Sequence, residues 1–309
     1  MSEPVSNYRL EKLVLGELGA EESEALLRDP EVARRAEALR ADNERILARH
    51  PLRLPEPDFA AARRRSPLSL RAALSGFRSA LSFRLGPVPV AAICLWPRFV
   101  TTARAELGDG PVRIATVVNF PDGDTPIAPA MRETEEALAA GADEIDLVLP
   151  WRAVLAGHTT SAAAMVRNVK MLCGERRLKV ILETGEYPNL DKVRTTAELA
   201  IAAGADFIKT STGKEGVNAT LPVSLVMVRA LRDYRDATGQ RIGFKPAGGM
   251  KSAKDALNWQ FLMREEMGRD WLAPQLFRLG ASSMLGDIER QLEHHVTGRY
   301  ASASRLALA

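Results

Sequence analysis

Cysteine is scarce in this sequence: among 309 residues only Cys94 and Cys173 are cysteines, far apart and in no C-x-x-C pair. That excludes a disulfide scaffold and a cysteine-ligated zinc site, and it points to a reducing compartment. Histidine is scarce too. The four are His50, His158, His294 and His295; no H-E-x-x-H occurs, and "EHH" near the C-terminus reads as solvated helix rather than a metal site. A dominant charge is also missing. The formal net charge is +3, too small to favour nucleic acid or an anionic membrane as partner. No uninterrupted apolar run reaches bilayer length, and the opening "MSEPVSNYRLEKLVLGELGAEESE" is broken by charges rather than built as a basic-then-apolar leader. A Walker loop is excluded because "TGKEG" lacks both the hydroxyl residue after its lysine and the earlier glycine. The expectation is a cytoplasmic protein with no nucleic-acid or membrane partner and no metal.

What is present is repeated βα patterning. With 46% hydrophobic and 26% charged residues, the chain can bury one large core, or one core and a small appendage. From about residue 88, β-rich runs alternate with helical segments: "VAAICLW" (90–96), "VRIATVVNF" (112–120), "EIDLVLP" (144–150), "LKVILETG" (178–185), "FIKTSTG" (207–213), "IGFKPAG" (242–248) and "LFRLGASS" (276–283). The intervening segments carry apolar positions at helical spacing and close on a glycine. Such an order forces a parallel sheet buried on both faces. Seven units fall one short of a closed (β/α)8 TIM barrel, the expected α/β fold class. Residues 1–50 read as a charge-rich helical appendage, with "EVARRAEALRADNERILARH" the clearest helix. Residues 51–87 form an arginine-rich, proline-punctuated junction, 88–300 the barrel, and 301–309 a tail.

An internal echo locates the chemistry. "AGADEID" (140–146) and "AGADFIK" (203–209) put Asp146 and Lys209 at equivalent places in two units. Strand alternation groups Glu144 with Asp146 and Val148, Phe207 with Lys209 and Ser211, Lys179 with Ile181 and Glu183, and Gly243 with Lys245 and Ala247. If those faces point into a barrel, several ionisable side chains meet there, at high cost unless paired. A strand lysine ordinarily lies at an edge or snorkels to water. Lys209 instead sits inside an apolar run, and Lys245 occupies the corresponding place in the next strand. Two neighbouring ammonium groups disfavour each other's charge, so one can be neutral near pH 7 and attack a carbonyl to form a Schiff base. Asp146 with Lys179 is the candidate for proton transfer, the alternative being a structural ion pair. Glu144 and Glu183 are weaker candidates, either of which can simply pair with a lysine. "STGK", "AGG" and "GASS" end three successive strands, where backbone N–H groups can surround a phosphate. The candidate contacts are Thr210, Gly213, Lys214, Gly248, Gly249, Gly280, Ser282 and Ser283. Cys94 lines the pocket in one reading and is a buried structural cysteine in the other. Trp96, Phe120 and Trp151 read as packing residues with a possible place in the pocket wall.

"AAICLWPRF", "VVNFPDGD", "EIDLVLP", "KVILETGE", "GADFIKTSTG", "GFKPAGGM" and "FRLGASSML", in this order and spacing, resemble the deoxyribose-phosphate aldolase family over about residues 88–300. The resemblance implies a class I aldolase on a TIM barrel, with Lys209 as Schiff-base lysine, Lys245 as its pKa-lowering neighbour and Asp146 with Lys179 in proton relay. It further implies a phosphate site at the three glycine-rich ends, a sugar phosphate as substrate, and no metal or organic cofactor. The implied reaction is reversible cleavage of 2-deoxy-D-ribose 5-phosphate to glyceraldehyde 3-phosphate and acetaldehyde. The family's opening Asp-apolar-Thr-x-Leu motif has no counterpart here, so the first βα unit is expected to be atypical or missing. Part of 51–87, near "PLRLPEP" or "LSFRL", is then expected to cover the gap. "YRLEKLVLGELGAEE" is similar to the helical opening of anti-sigma-factor-like domains, without zinc ligands. A homodimer is compatible with this reading, and no partner is assigned to the N-terminal segment. The alternative function is an inactive or incomplete barrel that serves as a sugar-phosphate-binding or interaction module.

Overall fold

The computed structural model describes residues 13–14, 20–49, 90–216, 218–282 and 284–300. Among the described residues the sheet is preceded by helices α1 (Ala20–Leu27) and α2 (Pro30–Arg49). In the turn between them the Asp29 carboxylate accepts the amides of Glu31 at 2.8 Å and Val32 at 3.4 Å, which caps α2. Pro30 suits the first helical position because the N–H it lacks would have had no intrahelical partner. Leu26, Val32 and Ala36 bury with Leu13 in a small apolar cluster separate from the main core. The described part of this stretch is helical. The junction 51–87, with its expected gap-covering segment, and the tail 301–309 lie outside the described residues.

Six strands follow: β1 (Ala92–Leu95), β2 (Arg113–Val118), β3 (Glu144–Val148), β4 (Arg177–Ile181), β5 (Phe207–Lys209) and β6 (Gly243–Lys245). All pair in parallel and in sequence order, β1-β2-β3-β4-β5-β6. The crossovers carry α3 (Val100–Leu107), α4 (Ile127–Ala139), the short α5 (Trp151–Leu155) with α6 (Thr159–Cys173), α7 (Leu190–Ala202) and α8 (Leu221–Thr238). After β6 come α9 (Ala253–Met267) and α10 (Met284–Thr297). Consecutive parallel βα units in this order are the architecture of the TIM-barrel class.

The expected seventh strand is reduced. Among the described residues its place is held by two parallel bridges, Phe244 to Phe277 and Ala247 to Gly280. Pro246 supplies a reason: it follows β6 directly and has no N–H with which to continue the ladder, although its carbonyl still accepts the Gly280 amide at 2.9 Å.

Register decides what meets inside. Asp146 is level with Lys179, Lys179 with Phe207, and Phe207 with Gly243; the next level holds Val148, Ile181, Lys209 and Lys245. Partners at one level of a parallel sheet point to the same face. Ile145, Leu147, Leu178, Val180, Ile208 and Phe244 belong to the opposite face and to the apolar core. Gly243 is required by this arrangement, since a Cβ there would lie 2.4 Å from the Phe207 ring. The ring takes the interior space that a side chain at 243 would need.

Candidate active site

Asp146 is the centre of the site. It is buried on β3, and its Oδ1 accepts from Lys179 Nζ at 2.6 Å. Its Oδ2 receives two ammonium groups, Lys245 at 2.7 Å and Lys209 at 3.0 Å, with Cys94 Sγ at 3.9 Å. Three amines from three neighbouring strands thus converge on one carboxylate. Burial alone would push the Asp146 carboxyl up; Lys179, then Lys245 and Lys209, hold it well below the usual carboxylate range.

Among the described residues, of the three ammonium groups only Lys179 has a second carboxylate beside it, Glu144 at 2.8 Å, and the two that rely on Asp146 respond unequally. Burial, followed by the charge of Lys245, pushes Lys209 below the ordinary lysine value against the pull of Asp146. Burial is the largest influence on Lys245 and acts in the same direction, but there Asp146, with Cys94 and Glu144 adding to it, together outweigh burial and the amine rises. Access separates them as well. A cavity of about 160 Å³ is lined by Lys209 together with Cys94, Leu95, Trp96, Val117, Phe120, Thr212 and Lys214, whereas Lys245 and Lys179 are not in its wall. Trp96 and Phe120 meet edge to face across 5.2 Å and form one side of it. Cys94 is an exposed free thiol in this wall, so the buried-cysteine reading is corrected. The reason is that β1 is only partly covered, with none of its residues buried.

Beneath this lies a second ion cluster. Glu144, two residues before Asp146 on the same face, meets Lys179 at 2.8 Å, Arg177 at 3.2 Å and Arg278 at 3.0 Å. Burial would raise its carboxyl, but Lys179 and Arg278 bring it down to about 2. Arg278 is absent from the candidates that the sequence offers. Its only signal there is an arginine inside the apolar run "LFRLGASS", and its partner lies across the interior on β3.

The residues expected around a phosphate have varied placements. Lys214 lines the cavity, and Gly213 precedes it with φ +81°. Thr210 is buried, accepting the Ala247 amide at 2.9 Å and donating to the Ala247 carbonyl at 3.2 Å, so its hydroxyl ties β5 to β6. The Gly248 amide is occupied by the Gly280 carbonyl at 3.2 Å, and the Gly280 amide by Pro246. Gly249 adopts φ +80°, and Ser282 is exposed. Ser283 lies outside the described residues.

Glu183 also departs from expectation. Among the described residues it makes no ion pair with a lysine. It sits just past β4 with φ 57° and ψ 59°, and its carboxylate accepts the Thr212 amide at 3.1 and 3.3 Å. Burial pushes this carboxyl up to about 7 against the hydrogen bonds from Thr212, with Glu215 and Glu186 adding repulsion. Among the described residues there is no group of three His, Cys, Asp or Glu side chains placed to hold a metal ion.

The chain has clear relatives. A family model described as DeoC/LacD family aldolase matches residues 84–261. Human deoxyribose-phosphate aldolase is 47% identical over 225 residues, spanning 72% of this chain and 71% of that protein. The enzyme of the same name from Agrobacterium fabrum is 50% identical over 200 residues, 64% of this chain and 76% of that one. Among solved structures, one from Toxoplasma gondii ME49, provisionally identified as a deoxyribose-phosphate aldolase, superposes with a TM-score of 0.61. It is 26% identical, covering 71% of this chain and 84% of that chain.

Proposed function

We propose, from the premise that the chain belongs to the DeoC/LacD family of aldolases, that it reversibly cleaves 2-deoxy-D-ribose 5-phosphate to D-glyceraldehyde 3-phosphate and acetaldehyde. The observation that carries the mechanism is the pair of amines on one oxygen: Lys209 and Lys245 share Asp146 Oδ2, and of the two Lys209 faces the cavity. With its positive charge disfavoured by burial and by Lys245, Lys209 supplies a lone pair to the C1 aldehyde of the open-chain sugar. The carbinolamine loses water to give an iminium. Removal of the C3 hydroxyl proton then lets the C2–C3 bond break, its electron pair moving into the iminium to form an enamine. Glyceraldehyde 3-phosphate departs, the enamine is protonated at C2, and hydrolysis releases acetaldehyde and the Lys209 amine.

The 2.6 Å separation of Asp146 and Lys179 supports their passing protons between the carbinolamine, the enamine and water. Lys214 in the cavity wall is the proposed cation for the phosphate, with its neighbour Gly213 and the glycine-rich strand ends at Gly249 and Ser282 as the further candidate contacts. The free thiols of Cys94 and Cys173 are in keeping with a reducing, cytoplasmic setting. Trapping tests the reading. Borohydride added with deoxyribose 5-phosphate is expected to leave a stable adduct on Lys209, identified by peptide mass. An adduct on Lys245 or Lys179 would reassign the nucleophile, and binding of the sugar phosphate with neither adduct nor turnover would make the barrel a binding module.

A further inference from the structure

Glu183 is a buried carboxylate for which the Schiff-base chemistry has no use. Its backbone occupies the left-handed region, with φ 57°, a conformation that residues with a Cβ rarely adopt. The chain is pinned on both sides of it: Leu182 N–H donates to the Lys209 carbonyl at 2.9 Å and Thr184 N–H to the Thr210 carbonyl at 3.0 Å. Between these two bonds the left-handed residue sends its side chain to the loop after β5. There both carboxylate oxygens lie within 3.3 Å of the Thr212 amide. Among the described residues no cation pairs with Glu183, and the charged groups that act on it from neighbouring segments are the carboxylates of Glu186 and Glu215. A buried carboxylate facing like charges is costly. Neither apolar packing nor ion pairing accounts for it. What it does is hold a loop amide.

The loop continues the connection. Thr212 Oγ1 accepts the Lys214 amide at 3.1 Å, and the side chains of Thr212 and Lys214 both line the cavity with Lys209. We propose that Glu183 is a positioning residue for the phosphate end of the substrate, anchoring the turn 212–214 through the Thr212 amide so that Lys214 is presented to the cavity. This rests on the sugar-phosphate reading given above. Glu183 touches none of the groups around Asp146, so its removal acts on binding of the remote phosphate rather than on the reacting carbon. Loss of uniform binding raises KM and leaves kcat in place.

Two variants and two sugars separate this from a merely structural role. Glu183→Gln keeps the size of the side chain but removes its charge, a change read at about pH 8.5, above the value of about 7 at which the wild-type carboxyl ionises. Thr212→Ala, at a half-buried loop position, removes the relay to the Lys214 amide without disturbing the barrel interior. Weakening one charge-assisted hydrogen bond to a neutral one corresponds to a change in affinity of up to about tenfold. For Glu183→Gln, KM for deoxyribose 5-phosphate is expected to rise about tenfold with kcat within about twofold, while kcat/KM for unphosphorylated 2-deoxyribose stays within about twofold. Thr212→Ala should likewise weaken phosphate binding, by a smaller factor. Calorimetric binding of inorganic phosphate to the full chain gives a readout free of turnover, and the Glu183→Gln protein should bind it about tenfold more weakly. Unchanged phosphate affinity in that variant, an equal loss on both sugars, or no phosphate binding by the wild-type protein would overturn the proposal. Phosphate binding that weakens as expected in a wild-type background that cleaves neither sugar would instead uphold the anchor and sink the aldolase reading.

Discussion

Two carboxylates on β3 occupy the same face, two residues apart, and both touch Lys179, yet their surroundings suit them to different work. Glu144 is held by Arg278 and Arg177 besides Lys179, and Asp146 by Lys209 and Lys245 besides Lys179. Guanidinium groups remain charged at any working pH and bind carboxylates through a fixed fork, so the Glu144 cluster cannot relax by losing a proton. Lysine amines can. The same burial that locks the lower cluster therefore leaves the upper one able to change its charge, and the amine that faces the cavity is the one whose charge is disfavoured.

The sharpest way to break the comparison is at the proposed nucleophile. Replacing Lys209 with Ala should abolish borohydride trapping and lower kcat by on the order of 10⁴-fold or more, as removal of a nucleophile does elsewhere, while thermal unfolding shows a folded protein. Retention of substantial turnover would mean that another amine carries the chemistry.

Next comes Lys245. Its removal relieves Lys209 of a positive neighbour and leaves Asp146 with one amine fewer to compensate, and both changes raise the Lys209 pKa. Activity at pH 7 should fall about tenfold for each unit of that rise and recover at alkaline pH. A pH–rate profile of Lys245→Met that keeps its wild-type midpoint would separate the two lysines.

In the lower cluster the expected loss is of stability rather than chemistry. Glu144→Gln leaves Arg278 and Lys179 under-compensated in the interior, at a cost of about 3 kcal/mol measured by denaturant unfolding, with adduct formation on Lys209 retained. The acid limb gives the sign independently. A carboxyl whose folded pKa is about 2 against an ordinary 4.5 contributes stability that is present above pH 4.5 and is lost as pH falls towards 2. The wild-type protein should lose stability through that window, and the Glu144→Gln protein should lose less of it. An identical acid limb in both would show that Glu144 is not the group responsible.

The smallest effect belongs at the surface. Arg194 bonds Asp233 at 2.7 Å and Glu198 at 2.9 Å, but all three side chains are substantially exposed. Arg194→Ala should change stability by no more than about 1 kcal/mol and leave kinetics untouched. A larger effect would mean that exposure is a poor guide to which of these ion pairs matter.

Much of the upper cluster is legible in the sequence alone. Period-two alternation places Glu144, Asp146, Lys179, Lys209 and Lys245 on inward faces, because a strand leaves no other choice once one face is known. Arg278 is not legible in that way, since its segment pairs only through isolated bridges and its meeting with Glu144 depends on how far the sheet has curled. Thr210 reads as a ligand contact because hydroxyls after a strand often are; the close approach of β5 and β6 turns it to the Ala247 backbone instead. Glu183 follows the parity of β4 by simple counting, but its left-handed φ takes it out of the strand pattern altogether. Period-two reasoning ends where the strand ends.

What the sequence determined by itself was the order of βα units, the parallel pairing that order requires, and the set of ionisable side chains facing inward. Those follow from local periodicity and chain connectivity, which are one-dimensional properties. Which amine faces the cavity, which two share a single oxygen of Asp146, and why position 243 has no side chain were decided only by the tertiary structure. These depend on distances between strands separated by tens of residues, and the curvature of the closing sheet sets such distances through packing of the whole interior.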